Sequence, residues 1–210
     1  MCPEIRGGSM VRRGVSLFLP LVLLVAVGPA TEDTATIRLK MRDIEARLKV
    51  TRDDFKGRVF YNTSLEGDIL HKRQVFYPYI SYSPEKNSRT LFGLLRIKAD
   101  DWLMLEGVIV LVGEKRHTYT LDFMERYSLH KTDVYMSGYS PICVEWLHLP
   151  TKTTQSHFQL FKAIGNAPDT TTIRIRALGS EGSRDWTLTK KERQAWQDMV
   201  YYYQHFKHRD

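Results

Sequence analysis

"KADDWLMLEGVIVLVGEKRHTY", residues 98–119, sets a long apolar run between two polar turns. Within it, "LMLEGVIVLV" (103–112) is an apolar run for which a membrane span, a buried helix and a strand compete. A helical span needs about twenty apolar residues, and this run is half that length and interrupted by Glu106 and Gly107. Polar turn residues bound it, Asp100-Asp101 before and Gly113-Glu114-Lys115 after. Continuous Val, Ile and Leu between two turns is the pattern of a central strand covered on both faces. The run is therefore read as sheet interior, and other elements must cover it.

"RTLFGLLRIKA" (89–99) and "RHTYTLDF" (116–123) flank the run at hairpin distance. Short polar connections of that kind predict an antiparallel meander, with turns at Asp100-Asp101 and at Gly113–Lys115. Upstream, "QVFYPYISYS" (74–83) is an aromatic strand that Pro78 assigns to a sheet edge, because proline cannot donate to a ladder on both sides. "TRDDFKG" carries turn chemistry at Asp53, Asp54 and Gly57 and leads into the strand "RVFY". The preceding 31–50 is a charged lead-in, read as a short helix from the spacing of Ile37, Met41, Ile44 and Leu48 or as a tether.

Downstream, "VYMSGYSPICVEWLHL" (134–149) reads as one aromatic strand. A helix follows, with Thr154 as cap, Phe158, Phe161 and Ile164 on one face, and Gly165 or Asn166 as its end. "TTIRIRAL" alternates cleanly as a strand, and "GSEGSRDW" (179–186) reads as a loop. In the final helix Thr189 and Glu192 have capping-box spacing. Trp196, Met199, Val200 and Tyr203 form its apolar stripe, which directs Tyr201 and Tyr202 elsewhere. Strands first and helices last, without regular alternation, predict an α+β fold: a largely antiparallel sheet with two helices in the C-terminal part covering one face. The expected division is a leader over 1–30, the lead-in over 31–50 and a single domain over 51–208.

The N-terminus argues for export. Arg12 and Arg13 precede the apolar "GVSLFLPLVLLVAV" (14–27), and small residues follow, the anatomy of a secretory signal peptide. An uncleaved anchor through 14–27 is the alternative. Ser16 departs from a twin-arginine signal, and no Cys follows the run to accept lipid. Met10 is a second candidate start beside Met1, since it stands directly before "VRRG". With the leader removed only Cys143 remains, which reads as a buried, inert thiol. The formal charge is +7; without Arg6, Arg12, Arg13 and Glu4 it is +5, with 28 basic against 23 acidic residues. Mild basicity suits an anionic partner such as an envelope polymer or a membrane surface. The basic residues are scattered, and no nucleic-acid motif accompanies them.

Signatures of catalysis are sparse. "GYSPI" (138–142) ends in Ile142 where a nucleophile elbow needs glycine. "GSEGS" (179–183) lacks the Lys-Ser/Thr pair of a phosphate loop. The histidines have no metal-ligand spacing, so neither a metal nor a cofactor is expected. Glu106 and Glu145 are the carboxylates on which a hydrolase acting on an envelope polymer would rest. Glu106, an acid inside an apolar strand, is expected to have a raised pKa unless it pairs with a neighbour such as Arg96. For ligand binding the candidates are the edge tyrosines Tyr77 and Tyr79 and the turn Asp100, Asp101 and Trp102. Arg174 and Arg176 join them, because they alternate with Ile173 and Ile175 and so line one exposed strand face.

Four stretches together carry a family likeness: "TRDDFKGRVFY", "YPYISY", the opening stretch with its Ala-Asp-Asp-Trp turn, and "AIGNAPDTTTIRIRALG…WTLTKKERQAW". Over roughly 51–205 the chain resembles an uncharacterised domain of bacterial exported proteins and lipoproteins. The likeness implies a secreted or envelope-tethered domain and brings no catalytic residues with it. The sequence therefore points to an exported binding module, periplasmic or extracellular, with an unidentified envelope component or protein as partner and no nucleic acid.

Overall fold

A computed structural model describes residues 32–63, 72–137, 140–151 and 155–208. The expected signal peptide over 1–30, its alternative as an anchor, and the Thr154 cap lie outside the described residues. No helix among the described residues is long and apolar enough to cross a membrane.

The fold is α+β, with ten strands among the described residues, in two antiparallel sheets rather than one. The larger sheet has the order β1 (Leu48–Asp53), β2 (Arg58–Thr63), β3 (Gln74–Ser83), β4 (Ser88–Ala99), β8 (Ser140–Pro150), β7 (His130–Ser137). The smaller has the order β10 (Gly182–Thr187), β9 (Ile173–Gly179), β5 (Leu105–Val112), β6 (Lys115–Thr120). Among the described residues four helices join them: α1 (Thr34–Glu45), α2 (Phe123–Leu129), α3 (Gln155–Gly165) and α4 (Lys190–His205). One apolar core links both sheets and the helices. It holds Phe76, Ile80 and Leu95 of the larger sheet, Val108, Val110 and Ile175 of the smaller, and Phe161, Trp196 and Met199 of α3 and α4.

The opening stretch is a central strand, as expected, but not the middle of a meander. β5 pairs with β6 on one side and β9 on the other, while β4 pairs with β3 and β8 in the other sheet. The segment around Asp100-Asp101 is thus a crossover between sheets and not a hairpin turn. The cause is Glu145 on β8, a side chain 2% exposed. Its carboxylate accepts the main-chain N–H of Leu103 (2.6 Å), Met104 (3.0 Å) and Leu105 (2.8 Å), and lies 3.0 Å from His130 Nε2. Three consecutive donors turned onto one buried carboxylate draw the chain off β4 and into the second sheet, with Met104 at φ 55°. The second expected turn stands: Val112 pairs with Lys115 across two residues, and Gly113 at φ 61° takes the first loop position, where glycine relieves the strain.

β3 is interior, flanked by β2 and β4, so Pro78 does not mark an edge. The β2–β3 register ends at the Asn62–Tyr79 pair, one residue short of Pro78. The missing N–H therefore falls where no ladder bond is made. Beyond that point Trp196 of α4 takes over, its indole Nε1–H donating to Phe76 O at 3.1 Å while its ring packs on Phe76 and Phe161.

Other boundaries differ from expectation. The 134–149 strand is two strands, β7 and β8, paired through Ser137 and Ser140. "GSEGSRDW" holds most of β10, a strand whose solvated edge gives it a polar composition. α2 was not anticipated; Asp122 and Glu125 form its capping box. The lead-in is helix α1 followed by the first residues of β1, and the compact unit begins at Asp33. Ile37, Met41 and Ile44 of α1 enter the common core. That packing widens the buried face of α4. Tyr202 is fully buried, its hydroxyl donating to Glu45 at 3.1 Å, whereas Tyr203 is only partly buried. The Thr189–Glu192 capping box of α4 is present as expected, and Lys72 reaches the same carboxylate at 3.2 Å.

Candidate functional site

Strand alternation sorts the side chains of the smaller sheet. Val108, Val110, Ile173, Ile175 and Ala177 are buried toward the core. The opposite face is built by register: Thr187, Arg174, Leu111 and Arg116 form one row across β10, β9, β5 and β6. Asp185, Arg176, Ile109 and Thr118 form the next. All residues of these two rows except Thr118 line a cleft of about 410 Å³, with the apolar Ile109 and Leu111 as its floor and arginines on either side. The central strand of the opening stretch is therefore covered on one face by core and on the other only by the ligand-sized hollow it floors.

The three arginines are in different electrostatic states. Arg176 is held bidentately by Asp185, with Nε to Oδ1 at 2.7 Å and Nη2 to Oδ2 at 2.5 Å. This hydrogen-bonded pairing raises the Arg176 pKa and holds the Asp185 carboxyl below the usual carboxylate range. Arg116 donates through Nε to Thr118 Oγ1 at 3.2 Å. Among the described residues neither Arg116 nor Arg174 forms an ion pair. Arg174 and Arg116 stand two strands apart with Leu111 between them, about 10 Å at the backbone given the ordinary strand spacing. Trp186 closes the β10 side of the cleft. Its shielded indole N–H has no hydrogen-bond partner among the described residues.

The other candidate residues are distributed elsewhere. Tyr77 and Tyr79 lie on β3, in the larger sheet. Tyr79 is half-buried, stacked on Phe92 with centroids 4.8 Å apart and planes 4° from parallel, and its hydroxyl meets His148 Nδ1 at 3.0 Å. Burial raises the Tyr79 pKa, and burial together with Lys131 pushes His148 down to about 4. Tyr77 packs against Val75 and Ala195. Both tyrosines thus belong to an aromatic sheet face within the fold rather than to an open edge. Asp100, Asp101 and Trp102 lie on the crossover, where Asp101 pairs with Arg184 at 3.6 Å.

The two acids considered for catalysis are also separately engaged. Glu106 pairs with Arg126 of α2 at 3.0 Å, not with Arg96, and sits at the irregularity between Leu105 and Gly107. Burial pushes Glu145 up, but hydrogen bonds from His130, Leu105 and Leu103 outweigh it and leave its carboxyl below the ordinary range. Neither acid lines the cleft. Cys143 is buried, and burial followed by the nearby Glu145, Asp101 and Asp100 raises its thiol pKa, so little of it is thiolate at neutral pH. Among the described residues no group of three His, Cys, Asp or Glu side chains is placed to hold a metal ion.

Of the sequence candidates, only Arg174 and Arg176 come together in one concave site. Arg116, Ile109, Leu111 and Asp185 complete it and were not singled out. The alternation of "IRIR" made the first pair visible, whereas Arg116 joins them only through the β5–β6 and β5–β9 registers. No protein-family model, curated protein or solved structure matches the chain.

Proposed function

We propose that this domain is a non-catalytic binding module that holds an anionic ligand on the outer face of β10–β9–β5–β6. The observation that carries the reading is the pair of guanidinium groups, Arg116 and Arg174, on either side of an apolar floor, neither of which forms an ion pair among the described residues. Guanidinium groups bind carboxylate, phosphate and sulfate through parallel N–H donors. Arg176, already neutralised by Asp185, contributes shape rather than net charge. The ligand class is an anionic group carried on a partly apolar or flat body that rests on Ile109 and Leu111. The basic and apolar residues of 12–27 support an exported protein. An acidic polymer of the cell envelope therefore has both the chemistry and the location to be the ligand.

The test is titration calorimetry of the full chain with inorganic phosphate and with polyphosphate, at low salt and at about 0.5 M salt, where exposed charge pairs are strongly screened. Binding is expected for the wild type, weakened by salt, and lost in the Arg116→Ala/Arg174→Ala double variant. A double variant that binds as tightly as the wild type overturns the proposal.

A further inference from the structure

Large exposed apolar side chains are concentrated in one short stretch of the chain. Phe123, Met124 and Tyr127 of α2 are 70%, 72% and 76% exposed, and Val134, Tyr135 and Met136 of β7 are 49%, 38% and 63% exposed. No residue of α2 is fully buried, and of its apolar side chains only Leu129, at its end, packs partly against the core. β7 ends the six-stranded sheet, so one row of its main-chain donors and acceptors is without a strand partner among the described residues. An edge strand of this kind is a template for another strand unless charge or cover blocks it. The opposite edge, β1, is guarded by Lys49, Arg52 and Asp53. β7 carries only Lys131 and Asp133, two residues apart and of opposite sign.

We propose that the chain forms a two-fold symmetric homodimer in which β7 pairs antiparallel with β7 of a second copy, centred on Thr132. The register follows from hydrogen-bond parity. Two residues separate the closing pair Ser137–Ser140 of the β7–β8 hairpin, so that pair is hydrogen-bonded and the odd positions of β7 face β8. The even positions, His130, Thr132, Val134 and Met136, then present their N–H and C=O to the free edge, where in the single chain the Val134 N–H donates to its neighbour Asp133 Oδ1 at 2.8 Å, a contact that strand pairing exchanges for a main-chain acceptor. A two-fold axis can pass through Thr132, Asp133 or Val134. The axis through Asp133 sets two aspartates directly opposite. The axis through Val134 leaves both charges unmatched, Asp133 facing Tyr135 and Lys131 facing Ser137.

The axis through Thr132 alone sets Lys131 opposite Asp133 twice, in the closely spaced non-hydrogen-bonded positions where cross-strand side chains interact most. Continued along the strand, the same register carries Tyr135 and Met136 of each copy toward the end of the other's α2. The exposed aromatic and methionine side chains thus become mutual cover. The interface is isologous and closes after two copies. It uses the larger sheet and leaves the arginine cleft aside.

The test is co-purification of two differently tagged full-length copies expressed together. The wild-type pair is expected to be recovered together. Asp133→Lys paired with itself, and Lys131→Asp paired with itself, oppose like charges and should be recovered about tenfold less. Asp133→Lys paired with Lys131→Asp restores both opposite-charge contacts and should be recovered like the wild type. Both positions are exposed, and far-UV circular dichroism checks each fold. If either variant unfolds, Thr132→Lys, which sets two ammonium groups at the axis, replaces it and should abolish recovery. Failure to recover the wild-type pair overturns the proposal. So does a self-pair recovered as well as the wild type, or a folded mixed pair recovered no better than the self-pairs.

Discussion

Glu145→Gln is the substitution that tests why the chain changes sheets after β4. The wild-type carboxylate serves four groups, three of them consecutive main-chain N–H donors of a crossover whose Leu103 and Leu105 are almost fully buried. Glutamine keeps one acceptor oxygen. Placed where Oε1 stands, it still receives Leu103 and Met104 but turns its NH2 toward the Leu105 N–H and His130. Two hydrogen bonds to a charged acceptor are then lost, and one buried main-chain donor is left unmet. At roughly 1.5–3 kcal/mol for each such bond, the expected loss is about 3–6 kcal/mol. That is a large share of the roughly 5–15 kcal/mol that holds a domain together.

The pH dependence has a definite sign. The folded carboxyl titrates below the ordinary value of 4.5, so its contribution is fully present above that pH and disappears as pH falls through the folded pKa. Urea unfolding followed by circular dichroism should show the wild type and Glu145→Gln furthest apart at neutral pH. The gap should narrow in acid below the ordinary value. A difference under about 1 kcal/mol at neutral pH, or one that does not change on acidification, would refute the role assigned to this carboxylate.

Two further substitutions probe how the helices are seated. Trp196→Phe keeps the packing on Phe76 and Phe161 but removes the donor to Phe76 O at 3.1 Å. A loss of about 1–3 kcal/mol is expected in the same unfolding experiment, since the carbonyl is left in a buried site. Gly165 ends α3 against α4, where an added Cβ would stand 2.7 Å from Val200 Cβ. Gly165→Ala should therefore cost about 1–3 kcal/mol by overpacking, and Val200→Ala placed beside it should recover part of the loss.

Local chemistry was legible where its partners are near in sequence. The Thr189–Glu192 box, the Gly113 turn and the alternation of Ile173 with Arg174 are complete within a few residues, and all appear as read. The Asp100-Asp101 segment has ordinary turn composition. What makes it a crossover is a carboxylate some forty positions later, and no local pattern contains that. Tyr202 and Tyr203 exchanged roles for the same reason. The stripe on α4 anticipates one buried face, whereas α1 adds a second. α2 escaped notice because only Leu129 of its apolar residues packs on the core, which leaves no helical stripe, although Asp122 and Glu125 carried its capping signal in plain spacing. The cleft was half visible. Arg174 and Arg176 are neighbours in the chain, but Arg116 enters through two strand registers, and a register depends on the whole sheet.

The separation of the two proposed surfaces has a consequence for affinity. The arginine cleft lies on β10, β9, β5 and β6, while the pairing edge is β7 of the other sheet, and no β7 residue lines the cleft. Dimerisation therefore leaves both clefts unoccupied and makes the assembly bivalent. A polymer bearing repeated anions is then held at two points when its span reaches both, which raises affinity about 10²–10⁴-fold without any new contact. A single phosphate gains nothing. Asp133→Lys should accordingly weaken polyphosphate binding by at least tenfold and leave inorganic phosphate binding unchanged. Arg116→Ala/Arg174→Ala should abolish both. Equal weakening of the monomeric and polymeric ligand by Asp133→Lys would place β7 within the binding site itself. Unchanged polymer affinity would mean that the two clefts act independently.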